Sequence, residues 1–175
     1  MSSRARLFAI ALAAVAGVAT LSSCAGPGPA AADPSPGCAV WHGLTEKVLG
    51  STADDLGGPY PSLGNSSAYV AELDGTDGTK VGSITGSTDI SQRLADGGLQ
   101  EHAVETITLP GGVIMAQGVY AAAAKLAGDR VHVGLVGTGG GYLGHLGDRY
   151  VRPVGPEKFQ VDLELCPPGM LRSGR

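Results

Sequence analysis

The chain has 175 residues, enough for one domain around a single core. It carries 12 lysines and arginines against 16 aspartates and glutamates, a net charge of −4, with no basic run. An acidic chain of this kind is not built to bind nucleic acid through its phosphates, so nucleic acid is not an expected partner.

The first residues fall outside the core. Arg4 and Arg6 precede an uncharged apolar run over 7–21 (LFAIALAAVAGVATL). That run is too short to cross about 30 Å of hydrocarbon comfortably and matches the apolar region of a signal peptide, residues 1–23. Leu21-Ser22-Ser23-Cys24 then resembles the lipobox of bacterial lipoproteins: an aliphatic residue, two small residues that suit the peptidase cleft, and a cysteine that receives a diacylglyceryl group. Two acyl chains, at about 0.8 kcal/mol per buried CH₂, anchor stably where one is marginal. The expected address is therefore the extracytoplasmic face of a cell membrane, with the membrane itself as partner through a lipid on Cys24. Loss of Arg4 and Arg6 leaves 10 basic against 16 acidic residues, a net of −6.

Residues 24–37, Cys24 followed by AGPGPAAADPSPG, bury too little apolar surface to order themselves and read as a lipidated tether. Residues 38–67 are expected to be an irregular or helical lead-in. Val40, Trp41, Leu44, Val48 and Leu49 fit one face of a short helix, and Pro59 and Pro61 break regular structure beyond it. Cys38 and Cys166 lie near the two ends of the domain, and in an oxidising compartment their default state is a disulfide. Asn65-Ser66-Ser67 has the form of a glycosylation sequon, which a bacterial leader makes a coincidence.

From there the pattern is β. Runs rich in Val, Ile, Thr, Tyr and Leu, bounded by Gly, Asp or Pro, predict strands at 68–74, 79–88, 102–109, 112–120, 130–137 and 158–165. The short connections at 75–78 and 110–111 imply antiparallel pairing. In the final strand Phe159, Val161, Leu163 and Leu165 alternate with Gln160, Asp162 and Glu164, as in a sheet with one wet face. Residues 121–126 suit either a helical turn or an interstrand loop, and 167–175 form a tail. The fold class is all-β, with a closed barrel and a sandwich equally open on pattern alone.

Four pieces in order bear a resemblance that favours the barrel. Residues 109–118 (LPGGVIMAQG) look like a hairpin ending in an x-Q-G strand, and 136–147 (VGTGGGYLGHLG) are similar to a GGTGxYxGAxG signature. Residues 77–82 (DGTKVG) and the alternating strand through 159–165 complete the set. Together they make residues 68–166 resemble the barrel of the allene oxide cyclase and dirigent superfamily. The resemblance implies an eight-stranded antiparallel barrel with an apolar interior open at one end. It also admits an oligomer, since plant members assemble through the barrel exterior. The N-terminal catalytic motif of the plant cyclases has no counterpart here, nor do the acidic site residues of dirigent proteins, so the fold travels without the catalytic set.

Glu105 is the leading catalytic candidate. Ala103, Glu105, Ile107 and Leu109 share one face of their strand; were it the interior, Glu105 would be a carboxylate in apolar surroundings, suited to acid–base work. The opposite choice turns Val104, Thr106 and Thr108 inward and leaves Glu105 in water. Glu72, which shares a face with Val70 and Ala68, is open to the same two arrangements. Tyr69, Tyr120 and Tyr142 are candidates to line or rim a cavity, or are wall residues. His132 faces solvent by alternation, and His145 lies in the glycine-rich signature. No histidine pair has metal-site spacing, and neither metal nor cofactor is expected. Ser83 and Ser87 lack a nucleophile elbow.

Three functions compete at this level. The first is a lipid-anchored barrel that binds a small apolar ligand or serves as an interaction module in the envelope. The second is an isomerase or cyclase acting inside the barrel, and the third a packed structural barrel without a cavity.

Overall fold

A computed structural model describes residues 37–56 and 58–170 of the chain. Eight strands and one short helix make up the domain: β1 (Ala39–Asp54), β2 (Ser66–Asp74), β3 (Lys80–Arg93), β4 (Leu99–Leu109), β5 (Gly112–Ala121), α1 (Ala122–Ala127), β6 (Val131–Gly140), β7 (Leu146–Gly155) and β8 (Lys158–Cys166). Each strand pairs antiparallel with its sequence neighbour, and β1 returns to β8, closing the barrel in the order β1 to β8. Closure leaves no sheet edge unpaired, which removes the main aggregation liability of an isolated sheet. The barrel, not the sandwich, is the architecture.

The core follows from alternation. Leu73, Ile84, Ile107, Ile114, Leu135, Val161, Leu163 and Leu165 all point inward and are buried. They fill the half of the barrel at which β1 begins and β8 ends. At that end Cys38 and Cys166 form a disulfide beside the pair Ala39 and Leu165, so the bond ties the β1–β8 seam where the barrel closes. Trp41 and Tyr142 cover the same end, with ring centroids 5.9 Å apart and planes nearly perpendicular. Gly111 and Gly137 lack a Cβ where Tyr142 lies: a Cβ would meet the Tyr142 hydroxyl at 2.4 Å and its carbonyl oxygen at 1.7 Å respectively.

Residues 38–67 require correction, since β1 occupies 39–54 of the expected irregular or helical lead-in. Two β-bulges explain the misleading pattern. Register shifts fall between Trp41 and Leu44 and between Val48 and Gly50. Each bulge inserts residues that break the period of two, so apolar residues three and four apart stay on one face of a strand. β7 has no counterpart among the expected strands, because its inward positions hold Gly147, Arg149 and Pro153 beside a single apolar Val151. The short segment after β5 is helical. Its chain is turned by Gly128 at φ 78, whose amide donates to the carbonyls of Ala124 and Lys125. The expected signal peptide and tether, with Cys24, lie outside the described residues.

Candidate active site

The apolar filling stops partway along the barrel. Toward the end where β1 finishes and β8 begins, a cavity of about 270 Å³ opens to the surface. Val48, Ala103, Val131, Val133, Val151 and Phe159 form apolar wall, while Ser51, Ser67 and Thr88 supply hydroxyls. Helix α1 stands at this mouth and brings Lys125 to its edge.

A charged network crosses the barrel beneath the cavity. Arg149, on β7, donates from Nη1 to Glu105 Oε2 on β4 and from Nη2 to Glu46 Oε2 on β1. All three side chains are 5% exposed or less. Tyr69, on β2, donates its hydroxyl to the other oxygen of Glu105. Strand register places this last contact: Tyr69 stands opposite Gly86, and Gly86 opposite Glu105, along one inward row. With no side chain at Gly86 the tyrosine can lean across to the carboxylate. A Cβ there would lie 2.8 Å from the Tyr69 ring and 2.9 Å from Glu105 Cγ.

A second network sits at the mouth. Glu101 is fully buried; it accepts from Lys125 Nζ at 2.7 Å and from the Tyr60 hydroxyl at 2.6 Å. Tyr120 lies close enough to this carboxylate for its charge to act on the phenol.

These environments sort the groups by protonation. Burial pushes the Glu46 carboxyl above the ordinary carboxylate range, and Glu105 adds to this, while Arg149 opposes it. Burial alone would favour a neutral guanidinium, but Glu105 and Glu46 outweigh it and hold Arg149 charged. Burial first, and then the charge of Glu105, raises Tyr69; burial and Glu101 do the same to Tyr120 and Tyr60. The three tyrosines are therefore neutral hydrogen-bond donors across the physiological range. The network can supply donors from phenol and a fixed guanidinium neutralised by its neighbouring carboxylates.

Of the residues singled out in sequence, Glu105, Tyr69 and Tyr120 come together around this cavity. The inward face of β4 is the one carrying Glu105. Two others do not join them. Glu72 lies on the outer wall, where it pairs with Lys80 at 2.9 Å, because Ala68, Val70 and Glu72 share the face turned to solvent. Tyr142 packs at the opposite end of the barrel against Trp41 and His145. Sequence reasoning misses Glu46, Arg149, Glu101 and Lys125. Glu46 is hidden in a strand whose pattern suits a helix, and Arg149 in a strand with no apolar alternation. Among the described residues, the cluster of Cys38, Glu164 and Cys166 is compact enough to suggest a metal, but its two sulfurs are bonded to each other.

Fold and site define a class: a small closed antiparallel barrel, solid at one end and hollow at the other, with an ionic network across the cavity floor. The chain belongs to the allene oxide cyclase barrel-like domain family, whose profile matches residues 45–164. Solved structures with this fold include an exo-specific intermolecular Diels-Alderase, AbnU, at 23% identity and TM-score 0.68, covering 73% of this chain and 96% of that one. A nonspecific heme-binding cyclase that catalyses a 4 + 2 cycloaddition during neoabyssomicin biosynthesis is 26% identical with TM-score 0.70, covering 78% of this chain and 69% of that one. The Diels-Alderase AbmU from Streptomyces koyangensis is 27% identical with TM-score 0.65, covering 73% and 63% of the two chains. No curated protein matches the chain in sequence.

Proposed function

We propose that this barrel receives a small, mainly apolar molecule in its open end, and that a lipid on Cys24 holds it at the extracytoplasmic face of the cell membrane. The observation that carries the binding half is the cavity of about 270 Å³ with apolar walls around polar groups that converge from four strands. Ligand sites have this make-up: mostly apolar lining, with a few fixed donors and acceptors that orient the guest. The filled half of the barrel supplies a rigid floor, so the shape of the cavity exists before the guest arrives.

A second reading, a cyclase, is favoured by the solved relatives described as cyclases and Diels-Alderases. Confinement alone promotes such a reaction: holding a flexible molecule in a reactive shape removes the entropy of finding that shape from the barrier. Tyr69 would add a donor near a developing charge. No covalent attachment to the protein is required.

The test is native mass spectrometry of the protein purified from its own cells, alongside an Ala103→Phe variant that fills the cavity from its wall. A retained small molecule present in the first and absent from the second is the expected result. Absence of any retained molecule, with no difference between the two proteins, would overturn the binding reading. Turnover is then read by incubating the barrel with a retained precursor and following its chromatographic retention, since cyclisation leaves mass unchanged. Glu105→Gln and Tyr69→Phe should slow a cyclase while affinity persists. The anchor is tested by labelling cells with radioactive palmitate: Cys24→Ser should lose both the label and the membrane fraction.

A further inference from the structure

Given the reading that the cavity holds a small molecule, on which this rests, we infer that the guest carries a basic nitrogen on an apolar body and that carboxylates and phosphates are turned away. The reason lies in the charges around the cavity and in how each is already committed. Among the described residues, its lining contains two cations, Arg149 and Lys125. Neither is free: Arg149 is held by Glu46 and Glu105, and Lys125 by Glu101. An anionic guest would have to share these cations with carboxylates already seated on them, and would meet the charge of those carboxylates at close range.

The carboxylates outnumber these cations. Glu46 and Glu105 lie at the floor and Glu157 at the mouth, so three lining carboxylates meet two cations, and Glu101 behind the lining already neutralises one of those, Lys125. Protonating Glu46 leaves Arg149 paired with Glu105, Lys125 paired with Glu101, and Glu157 in excess. In water such an imbalance is screened within about 10 Å, but in an apolar cavity it acts on the guest at close range. A cation entering the cavity relieves the excess, a neutral molecule is indifferent to it, and an anion worsens it.

The walls agree with the charge. Tyr69, Tyr120 and Phe159 bring aromatic rings to the lining. Ring faces attract alkylammonium groups while the surrounding valines take up hydrocarbon. The hydroxyls of Ser51, Ser67 and Thr88 provide acceptors for an N–H on the other side of the opening.

Three probes of matched shape decide the matter: 1-naphthylmethylammonium, 1-naphthylmethanol and 1-naphthoate. Each is titrated by calorimetry at neutral pH into the mature chain carrying Cys24→Ser, free of lipid and detergent. The ammonium should bind at least about 10-fold tighter than the carboxylate, with the alcohol between them. Glu157→Gln, which removes the exposed carboxylate of the mouth without touching the buried network, should weaken the ammonium about two- to threefold and leave the alcohol unchanged. Ala103→Phe should abolish binding of the ammonium; if that variant fails to fold, NMR shift changes confined to the lining residues answer the same question. Carboxylate binding equal to or tighter than ammonium binding overturns the inference while leaving the cavity reading intact. Ammonium binding that survives a filled cavity, or shifts residues elsewhere, places the probe on the surface and also overturns it. Failure of all three probes at millimolar concentration removes the cavity reading along with it.

Discussion

Arg149 decides how the barrel interior can carry charge at all. Its guanidinium satisfies one carboxylate from β1 and another from β4, two strands that are not its neighbours in the sheet. Removing one member of such a buried group leaves uncompensated charge and typically costs about 3–5 kcal/mol. Arg149→Leu should therefore lower the free energy of unfolding by that order in denaturant titrations at pH 7.5. The loss should shrink in acid, where Glu46, whose carboxyl burial holds above the ordinary range, takes up a proton and no longer needs a cation. A loss that stays constant with pH would mean that the arginine stabilises by packing. Glu46 sets a second pH dependence. Burial raises its folded pKa, so below about pH 4.3 both folded and unfolded forms are protonated and the group costs nothing. As the pH rises the unfolded chain ionises first, and stability falls until the folded carboxyl ionises too, beyond which the loss is constant. Melting curves from pH 4 to 8 should show the wild type losing ground to Glu46→Gln through that window. Parallel curves would show that burial of Glu46 is fully offset by Arg149.

At the scale of elements, legibility in the sequence depends on how faithfully each strand keeps its period. β8 alternates without interruption, and its inward residues Val161, Leu163 and Leu165 are legible as core from that alternation alone. β4 is as regular, and only the sign of its face is open in the sequence; the fold puts Glu105 inside. β1 breaks its alternation twice, and the bulges space its inward residues Trp41, Leu44, Glu46, Val48 and Ser51 by three, two, two and three. No local pattern distinguishes that from a helix. β7 fails differently, because an inward arginine stands where the pattern demands an apolar residue, and only its partner carboxylates on distant strands account for it. The family signature compensates for both gaps by implying eight strands. The seam between β1 and β8 is the place where closure is least local, joining the first strand to the last. Its disulfide spans 128 residues, and a loop of that length loses unfolded-state entropy worth up to about 5 kcal/mol. Cys38→Ser with Cys166→Ser should lower the melting temperature markedly, as should reductant on the wild type. Ligand uptake should survive at temperatures where the barrel stays folded, since the bond lies at the filled end. Loss of binding without loss of folding would show that the seam shapes the cavity.

For the whole molecule, the position of the cavity relative to the start of β1 has a consequence for how a lipid-held barrel would work. The chain enters the barrel at Cys38, at the disulfide end, while the cavity opens at the other. The proposed anchor at Cys24 precedes that entry by fourteen residues rich in Pro, Ala and Gly. Were Cys24 lipidated as proposed, attachment through the Cys38 end predicts that the mouth faces the aqueous side, where it would meet molecules passing through the envelope. A guest with a basic nitrogen suits that side, because a charged amine partitions into water. The turn between β2 and β3 and the turn between β3 and β4 mark the two ends, with Asp77 exposed at the first and Asp96 at the second. Fluorophores on Asp77→Cys and on Asp96→Cys, each in lipidated protein on vesicles carrying a headgroup quencher, should report the difference. The label at position 77 should be quenched more strongly than the label at 96. Equal quenching would mean that the segment lets the barrel tumble freely, and the reverse order would point the mouth at the membrane and make lipid-borne molecules its natural guests.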